Sequence, residues 1–234
     1  MHTIAVNNSS SGVACIVTPH LFTTPPSSVM RTLPDALSQT LPPNCTVLIG
    51  SPSYRSCGQI AVEVMVHTLK YQRMGAGWSE WILPVVGAES AAAIEVYYHE
   101  PSATIAIQIR SIVTRAQEFA RDLWSLVVQW RPSKVVVLAG CPASLLSDNW
   151  REQSAIAWNS LPECEAASVE ECAVAIALYD LAAQASSNLF IQPCAENDPR
   201  TVISAVKLIA GALSEHASHH GVKWQIPASL SAEM

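Results

Sequence analysis

Residues 134–140, with the sequence Lys-Val-Val-Val-Leu-Ala-Gly, form the stretch that decides the fold. An apolar run of this length that ends in glycine is typical of a parallel strand buried on both faces. Residues 46–50 and 188–192 have the same character, and helical patterns separate the three runs. Because strands alternate with helices, this order predicts right-handed crossovers around a parallel core sheet.

The segments between these strands have the periodicity of helices. The first is almost entirely apolar, and its polar residues Glu63, His67 and Lys70 recur at i, i+4 and i+7, so they share one narrow stripe. We interpret this stripe as solvated or as part of an interface, in preference to an acid–base pair of Glu63 with His67. The helices are predicted at residues 59–72, 114–130, 168–186 and 202–214.

An antiparallel hairpin is predicted between the first and second helices. Residues 94–99 and 104–110 flank a short turn that contains proline. In the second of these strands, isoleucines alternate with Ala106, Gln108 and Arg110, which leaves one face partly polar. The hairpin therefore presents polar side chains at a defined place on the sheet.

The chain divides into two parts by composition. Residues 1–44 are rich in Ser, Thr and Pro and predict an N-terminal arm or irregular extension, in which only residues 13–17 have the character of a short strand. Residues 45–234 predict a single α/β domain. Within it, residues 81–86 are compatible with one further strand, which Pro84 would confine to an edge or an end.

Composition and charge exclude several classes of protein. The chain has 234 residues, of which 50% are hydrophobic and 14% are charged, so most of it is expected to be folded. It has 13 Lys and Arg against 19 Asp and Glu, and this net charge of −6 argues against nucleic-acid binding. There is no apolar run of ~18 residues, so no membrane span is expected.

The cysteines predict a reducing compartment. There are seven, an odd number, and no two have the C-x-x-C spacing, which argues against a disulfide framework and against structural zinc. The N-terminus has no charged region followed by a long apolar run, so no secretory signal is expected. The cytosol is the expected location, with mostly buried thiols.

Three features of the sequence are candidates for a catalytic or metal site. The loop 50–58 joins a strand to a helix, where phosphates bind in many α/β proteins, but it fits neither common glycine-rich motif and an ordinary capping loop is favoured. Cys141 follows the strongest strand, yet no base is identifiable beside it, and a packed thiol is favoured. His216, His219 and His220 have a spacing that suits a metal ion, but their polar context favours a solvated surface.

Two features suggest contact with another protein. Arg110 closes the alternating strand and is open to two interpretations: an anion clamp or interface contact, or an arginine that reaches water or Glu95 across the hairpin. Tryptophan is enriched at interface hot spots, although a partly buried core position is the commoner explanation. Four tryptophans lie in loop-like or short-element context: Trp78, Trp81, Trp150 and Trp158.

Several blocks in a fixed order resemble the proteasome assembly chaperone 2 family. They include the opening strand, loop and helix, the hairpin with its Gln108-Ile109-Arg110-Ser111 ending, and a Trp224-Gln225-Ile226-Pro227 block near the end. The resemblance is good over residues 45–140 and patchy over residues 141–187. The blocks lie at residues 45–69, 82–87, 95–97, 108–112, 134–138 and 224–229.

The resemblance implies a chaperone without enzymatic activity or cofactor. It implies assembly of the 20S proteasome core particle, through a heterodimer with proteasome assembly chaperone 1 on the ring of α subunits, in the cytoplasm and additionally in the nucleus. The fold it implies is an α/β three-layer sandwich with a mainly parallel central sheet plus an antiparallel hairpin. The predicted partner-binding residues are Glu63, His67, Lys70, Gln108, Arg110, Trp224, Ile226 and Pro227.

The chain departs from the family pattern in three places. Residues 162–166 replace an expected glycine-rich stretch, the N-terminal arm is longer than expected, and no hydrophobic–Tyr–any-residue ending follows the tail block. Insertion of this tail between α subunits is therefore not expected. A different class remains open as the alternative: an enzyme of the nucleoside-phosphorylase or hydrolase type that uses the loop 51–58 and Cys141. A cleft with convergent polar groups would favour it.

Overall fold

The computed structural model describes residues 31–32, 44–83, 92–151, 153, 155–161, 172–184, 186–195, 201–212, 222–227 and 230. Short 3-10 turns join several of the regular elements. In chain order, the described strands and helices are β1 (Arg31–Thr32), β2 (Thr46–Gly50), α1 (Cys57–Leu69), β3 (Gln72–Trp78), β4 (Ile94–His99), β5 (Thr104–Ile109), α2 (Ala116–Val127), β6 (Lys134–Pro142), α3 (Asp148–Arg151), β7 (Ile156–Ala157), α4 (Ala173–Leu181), β8 (Ser186–Cys194) and α5 (Thr201–Ala212).

The strands form one eight-stranded sheet in the order β1-β3-β4-β5-β2-β6-β8-β7. Its centre is parallel, because β2 pairs with β5 on one side and with β6 on the other, and β6 pairs with β8. Strands β3 and β4 extend the sheet beyond β5 with antiparallel pairing, and β7 pairs antiparallel with β8. The predicted parallel core and the predicted hairpin of β4 with β5 are both confirmed.

Helices cover both faces of this sheet. On one face, α2 and α4 pack together, and Phe119 and Leu123 of α2 are fully buried in the same cluster as Ile107. On the other face, α1 packs against α5, and Met65 and Leu208 are buried in one cluster with the sheet. Full burial of one such side chain contributes roughly 1.5–3 kcal/mol. The three-layer α/β sandwich is therefore confirmed.

The carboxyl-terminal ends of most strands lie at one edge of the sheet. The four parallel strands end there, and so does β3, because it is antiparallel to β4, which is antiparallel to β5. We call this edge, with the loops that follow β2, β3 and β5, the carboxyl edge. Ligands of α/β sheets commonly bind at such an edge.

The strand β3 is the main difference from the sequence-based prediction. Helix α1 ends at Leu69 rather than near residue 72, because Lys70 adopts a left-handed φ of 57° and closes it. The chain then enters β3, which the sequence did not predict. Gly75 and Gly77 and the exposed polar residues at its start give this strand none of the usual β-branched signature.

Other predictions fall partly outside the described residues. Of the strand predicted at 81–86, Ile82 forms an isolated bridge to Val113, and the residues after 83 are not described. Three further predictions lie outside the described residues: the start of the helix at 168–186, the run at 13–17 and the three clustered histidines. Arg31–Thr32, inside the predicted arm, pairs with the end of β3, and the division of the chain at residue 44 stays a prediction.

Across the described ranges, no helix combines the length and apolar character needed to cross a lipid bilayer.

Candidate interaction surface

A polar network lies on the sheet face next to helix α1. Its side chains come from β3, from β4, from the end of β5 and from α1, and the carboxylate of Glu95 is at its centre. We call this set the Arg110 network. Its members are Glu63, Arg73, Glu95, Tyr97, Gln108 and Arg110.

Strand register explains why these side chains meet. Glu95 lies opposite Gln108 in the pairing of β4 with β5, and Arg73 lies opposite Tyr97 in the pairing of β3 with β4. Residues two apart on a strand share a face, so Arg110 continues the row that Gln108 begins. Ile107 and Ile109, which alternate with Gln108 and Arg110, belong to the core on the opposite face.

Glu95 accepts hydrogen bonds from Arg110 and Tyr97 and forms an ion pair with Arg73. Arg110 Nε lies 2.5 Å from Glu95 Oε2, and Arg73 Nε lies 3.1 Å from Glu95 Oε1. The hydroxyl of Tyr97 donates to Oε2 at 2.9 Å. The Glu95 side chain is only 8% exposed, whereas those of Arg73 and Arg110 are 44% and 30% exposed. Because water screens the partly exposed Arg110, its hydrogen bond to Glu95 stabilises the fold by an amount near the lower end of the ~1.5–3 kcal/mol that charged hydrogen bonds contribute. The more exposed ion pair of Arg73 with Glu95 contributes about 1 kcal/mol or less.

Arg110 also connects the sheet to helix α1. Its Nη1 lies 3.8 Å from Oε2 of Glu63, and the amide of Gln108 donates to the same oxygen at 3.2 Å. Three predicted partner-binding residues, Glu63, Gln108 and Arg110, therefore lie together. Pairing of Arg110 with Glu95 across the hairpin, one of its two interpretations, is confirmed. The two arginines and two glutamates balance, so the network carries no net charge.

Two members of the network, Tyr97 and Arg110, keep their protons at neutral pH. Burial raises the pKa of Tyr97, and the nearby Glu95 charge adds to the rise against the hydrogen bond from Arg110. Burial lowers the pKa of Arg110, but hydrogen bonds with Glu95 and Tyr97 outweigh it, so the pKa is raised overall. Tyr97 and Arg110 thus remain donors, which suits a fixed recognition surface better than proton transfer.

His67 and Lys70 continue along α1 away from the network. Both are exposed, and His67 lies one turn beyond Glu63. Lys70 closes the helix and lines a smaller groove together with His99 and Glu100. The role of His67 and Lys70 in partner binding stays a prediction.

The Lys70→Gly variant distinguishes the effect of the left-handed backbone on stability from the effect of the Lys70 side chain on partner binding. A left-handed conformation strains any residue other than glycine by roughly 1–2 kcal/mol, part of which the greater flexibility of unfolded glycine offsets. Lys70→Gly is therefore expected to raise the free energy of unfolding, measured with urea, by about 0.5 kcal/mol. If the Lys70 side chain contacts a partner, binding will weaken in a variant that is more stable. A less stable variant would contradict the left-handed helix end.

The tail block packs against the chain's own helix α1. The hydroxyl of Thr68 donates to the carbonyl oxygen of Gln225 at 3.2 Å and accepts from the Gln225 N–H at 2.9 Å. Trp224 and Ile226 are half-buried against the α1–α5 cluster, and Pro227 is buried. These three predicted partner residues therefore lie apart from the Arg110 network, and partner binding by them stays a prediction.

A cavity of about 730 Å³ opens at the carboxyl edge. Its walls are the loops after β2 and β5 and the first residues of α1, α2 and α4, and we call it the carboxyl-edge cavity. The loop after β2 is anchored to β6, because Ser51 N–H donates to Leu138 O at 3.0 Å and Ser53 Oγ accepts from Gly140 N–H at 2.9 Å. Arg110 lines the cavity as well as joining the network.

The geometry does not bring Cys141 to this cavity. Cys141 is fully buried and does not line the cavity. The five cysteines in the described ranges are buried thiols, as expected. A hydrogen bond with Cys194 and burial raise the pKa of Cys57 well above its usual value, with further contributions from the Cys141 and Cys172 thiols. Cys57 is therefore protonated at neutral pH, and a protonated thiol is a poor nucleophile.

No cluster suited to a metal ion occurs among the side chains that the structure describes.

The four singled-out tryptophans occupy different environments. Trp150 and Trp158 are partly buried and pack against the core, which is the commoner of the two explanations given for the tryptophans. Trp81 lies under the guanidinium of Arg115, whose central carbon is 5.2 Å from the ring centre. Trp78 is 44% exposed at the carboxyl edge. Of the four, Trp78 is the best placed to contact another protein.

Two vertebrate proteins share part of this sequence. Proteasome assembly chaperone 2 of Xenopus tropicalis is 25% identical over 124 residues, which cover 47% of this chain and 48% of that protein. Proteasome assembly chaperone 2 of Bos taurus is 30% identical over 108 residues, 41% of each chain. The matched part of the chain thus spans less than half the length of these curated relatives.

Solved structures share the fold. A Thermoplasma acidophilum protein of unknown function superposes with a TM-score of 0.57 at 20% identity, over 77% of this chain and 78% of that one. Pyrococcus furiosus PbaA, described as an archaeal homolog of proteasome-assembly chaperone, gives 0.52 at 17% identity, over 82% and 89%. At such identities the likeness concerns the fold alone. The sequence model of the PAC2 family matches residues 47–224, most of the sandwich, and the chain belongs to the PAC2 family.

Proposed function

We propose that this chain is a chaperone for assembly of the 20S proteasome core particle. The observation that carries the proposal is the PAC2-family match over residues 47–224. The partial identity to proteasome assembly chaperone 2 of two vertebrates supports it. In this proposal the chain forms a heterodimer with proteasome assembly chaperone 1, and the heterodimer binds the ring of α subunits in the cytoplasm and additionally in the nucleus.

The proposed mechanism is burial of a folded surface against partner chains. A stable pair buries roughly 1,200–2,000 Å² in total, more than the Arg110 network alone could supply. The network would act within such an interface as its polar centre. Because its arginines and glutamates are balanced and held in place, a partner must match both signs of charge, and a mismatched partner leaves charges unpaired.

No catalytic step or cofactor is part of this proposal. The buried position of Cys141, away from the carboxyl-edge cavity, supports docking over nucleophilic chemistry. The stable protonation of Tyr97 and Arg110 supports it as well.

Deletion of the gene in the source organism tests the proposal in cells. Native electrophoresis of extracts, probed for α subunits, is expected to reveal fewer α-ring intermediates and less mature core particle than in the parent strain. A plasmid that expresses the chain restores both, which controls for secondary mutations. Unchanged amounts and migration of every α-subunit species in the deletion strain would contradict the proposed function.

A further inference from the structure

We propose that residues 13–17, in the chain's own N-terminal segment, bind across an exposed apolar rim at the carboxyl edge. The rim consists of Trp78, Leu83 and Ile112, which are 44%, 46% and 68% exposed. The surface and its occupant belong to one chain, so this assignment is independent of the proposed function. It adds an interaction surface at the sheet edge to the Arg110 network on the sheet face.

Backbone hydrogen bonds hold the rim in place. Leu83 N–H donates to the carbonyl oxygen of Ile112 at 3.0 Å, and the Ser111 hydroxyl donates to Leu83 O at 2.6 Å. Thr114 N–H donates to Trp81 O at 2.7 Å, so the loops after β3 and β5 are joined at two points. The backbone of the rim therefore needs no ordering when its side chains are covered, and covering them removes apolar surface from water.

Strand β1 brings the N-terminal segment to this rim. Arg31 lies opposite Trp78, the last residue of β3, in an antiparallel pairing. Because β3 ends at the carboxyl edge, the chain enters β1 from that edge. Residues 1–30 are therefore attached next to Trp78.

The connection is long enough for residues 13–17 to reach the whole rim. Val17 and Arg31 are fourteen positions apart, a separation of at most ~50 Å for an extended chain and about 20 Å for a random coil. Leu83 follows Trp78 by five positions, so at most ~18 Å separates their Cα atoms. Tethering of this length gives an effective concentration on the order of millimolar, so a contact that is weak between separate molecules is populated within one chain.

The composition of residues 13–17 suits them to this surface. Their sequence, Val-Ala-Cys-Ile-Val, is the longest uninterrupted apolar run ahead of β1, and three of the five residues are β-branched, which favours an extended conformation. Residues 1–30 contain no Asp, Glu, Lys or Arg, so no charged side chain among them opposes burial of the run. An uncharged run of this kind promotes aggregation when it is left in water. The run and the rim therefore both gain when one covers the other.

This arrangement restricts access to the rim. A protein that binds the rim has to displace a segment whose effective concentration is on the order of millimolar. Weak and unspecific association through the exposed apolar side chains is thereby suppressed.

A native cysteine within the run allows a direct test on the full chain. Cys15 is expected to form a disulfide with the cysteine that Ile112→Cys introduces. In a glutathione redox buffer, the equilibrium between the two thiols and their disulfide gives the effective concentration of one sulfur for the other. Mass spectrometry of tryptic peptides identifies the bonded pair, and the five cysteines of the described ranges are buried.

Val128→Cys is the matched control for the position on the surface. Val128 is 50% exposed and lies directly after α2, at the opposite edge of the sheet. The nine residues of β6 span only ~30 Å, so Cys15 can reach this edge as well. We expect the effective concentration of Cys15 for position 112 to be at least ~10-fold above that for position 128.

A second pair of variants tests the apolar contact itself. Ile16→Ser, combined with Ile112→Cys, removes the largest side chain of the run and is expected to lower the effective concentration by ~10-fold. Ile4→Ser makes the same change outside the run and is expected to leave it unchanged.

Three outcomes would overturn the proposal. Equal effective concentrations at positions 112 and 128 would mean that the tether alone brings the sulfur atoms together. An Ile16→Ser protein that forms the disulfide as readily as its parent would mean that the run makes no apolar contact. A disulfide between two chains, visible as a dimer in non-reducing electrophoresis, would assign the rim to a second copy instead.

Discussion

The Arg110→Ala variant is expected to lose most of its affinity for proteasome assembly chaperone 1 while remaining folded. Without the guanidinium, the 8% exposed Glu95 side chain keeps only Arg73 and Tyr97, and Glu63 loses its ion pair with Arg110 but keeps the hydrogen bond from Gln108. The stability cost is about 1–2 kcal/mol, because Arg110 is partly exposed and screening reduces the value of the pair. The partner meets an unbalanced negative patch, and a loss of at least ~10-fold in affinity is expected.

Two further variants make this result interpretable. Arg110→Lys keeps the charge but loses the planar fork, so an intermediate affinity is expected. Arg121→Ala removes an exposed arginine from α2, on the opposite face of the sheet, and is expected to bind normally. Affinities come from isothermal titration and folding from circular dichroism. An Arg110→Ala protein that is folded and binds within roughly twofold of wild type would remove the network from the interface.

The Gly58→Ala variant is expected to have the largest effect on stability. A Cβ atom at this position would lie 2.1 Å from the carbonyl oxygen of Leu138 and 3.0 Å from that of Ser51. Both are backbone atoms of the β2 loop and of β6, so neither can turn aside, and α1 would have to move off the sheet. Overpacking of this kind costs about 3 kcal/mol or more.

The sign of this effect is its diagnostic feature. Alanine in place of a helical glycine usually raises stability by up to ~1 kcal/mol, so a large loss identifies the close approach of α1 to β6 as its cause. His67→Ala, at an exposed position of the same helix, is expected to stay within ~0.5 kcal/mol of wild type. Urea denaturation measures both. A Gly58→Ala protein as stable as the His67→Ala control would mean that the helix does not approach the strand this closely.

The sequence identified the elements whose side chains are buried on both faces or alternate strictly. The run at 134–140 is recognisable as a buried strand, and alternation at 104–109 places Gln108 and Arg110 on one face. The same reasoning failed for β3, since a strand built from Gln72-Arg73-Met74-Gly75-Ala76-Gly77 takes its structure from its pairing with β4 rather than from local preference.

The candidate site was predictable only in part, for a related reason. Glu95 was foreseen as a partner of Arg110 because a hairpin fixes which residues face each other across it. Arg73 was missed because it belongs to the undetected strand β3. Tyr97 was missed although it lies on the predicted strand β4, two residues from Glu95 on the same face. The carboxyl-edge cavity was missed because its walls come from segments that converge only after the crossovers are made, and no local pattern records that convergence.

Native mass spectrometry of the purified chain mixed with proteasome assembly chaperone 1 and α subunits of the same organism tests the central claim most directly. The account predicts a one-to-one heterodimer that further binds α subunits, and its loss in the Arg110→Ala protein but not in the Arg121→Ala protein. A wild-type chain that stays separate from both partners at micromolar concentration, while binding and converting a small molecule at the carboxyl edge, would contradict it.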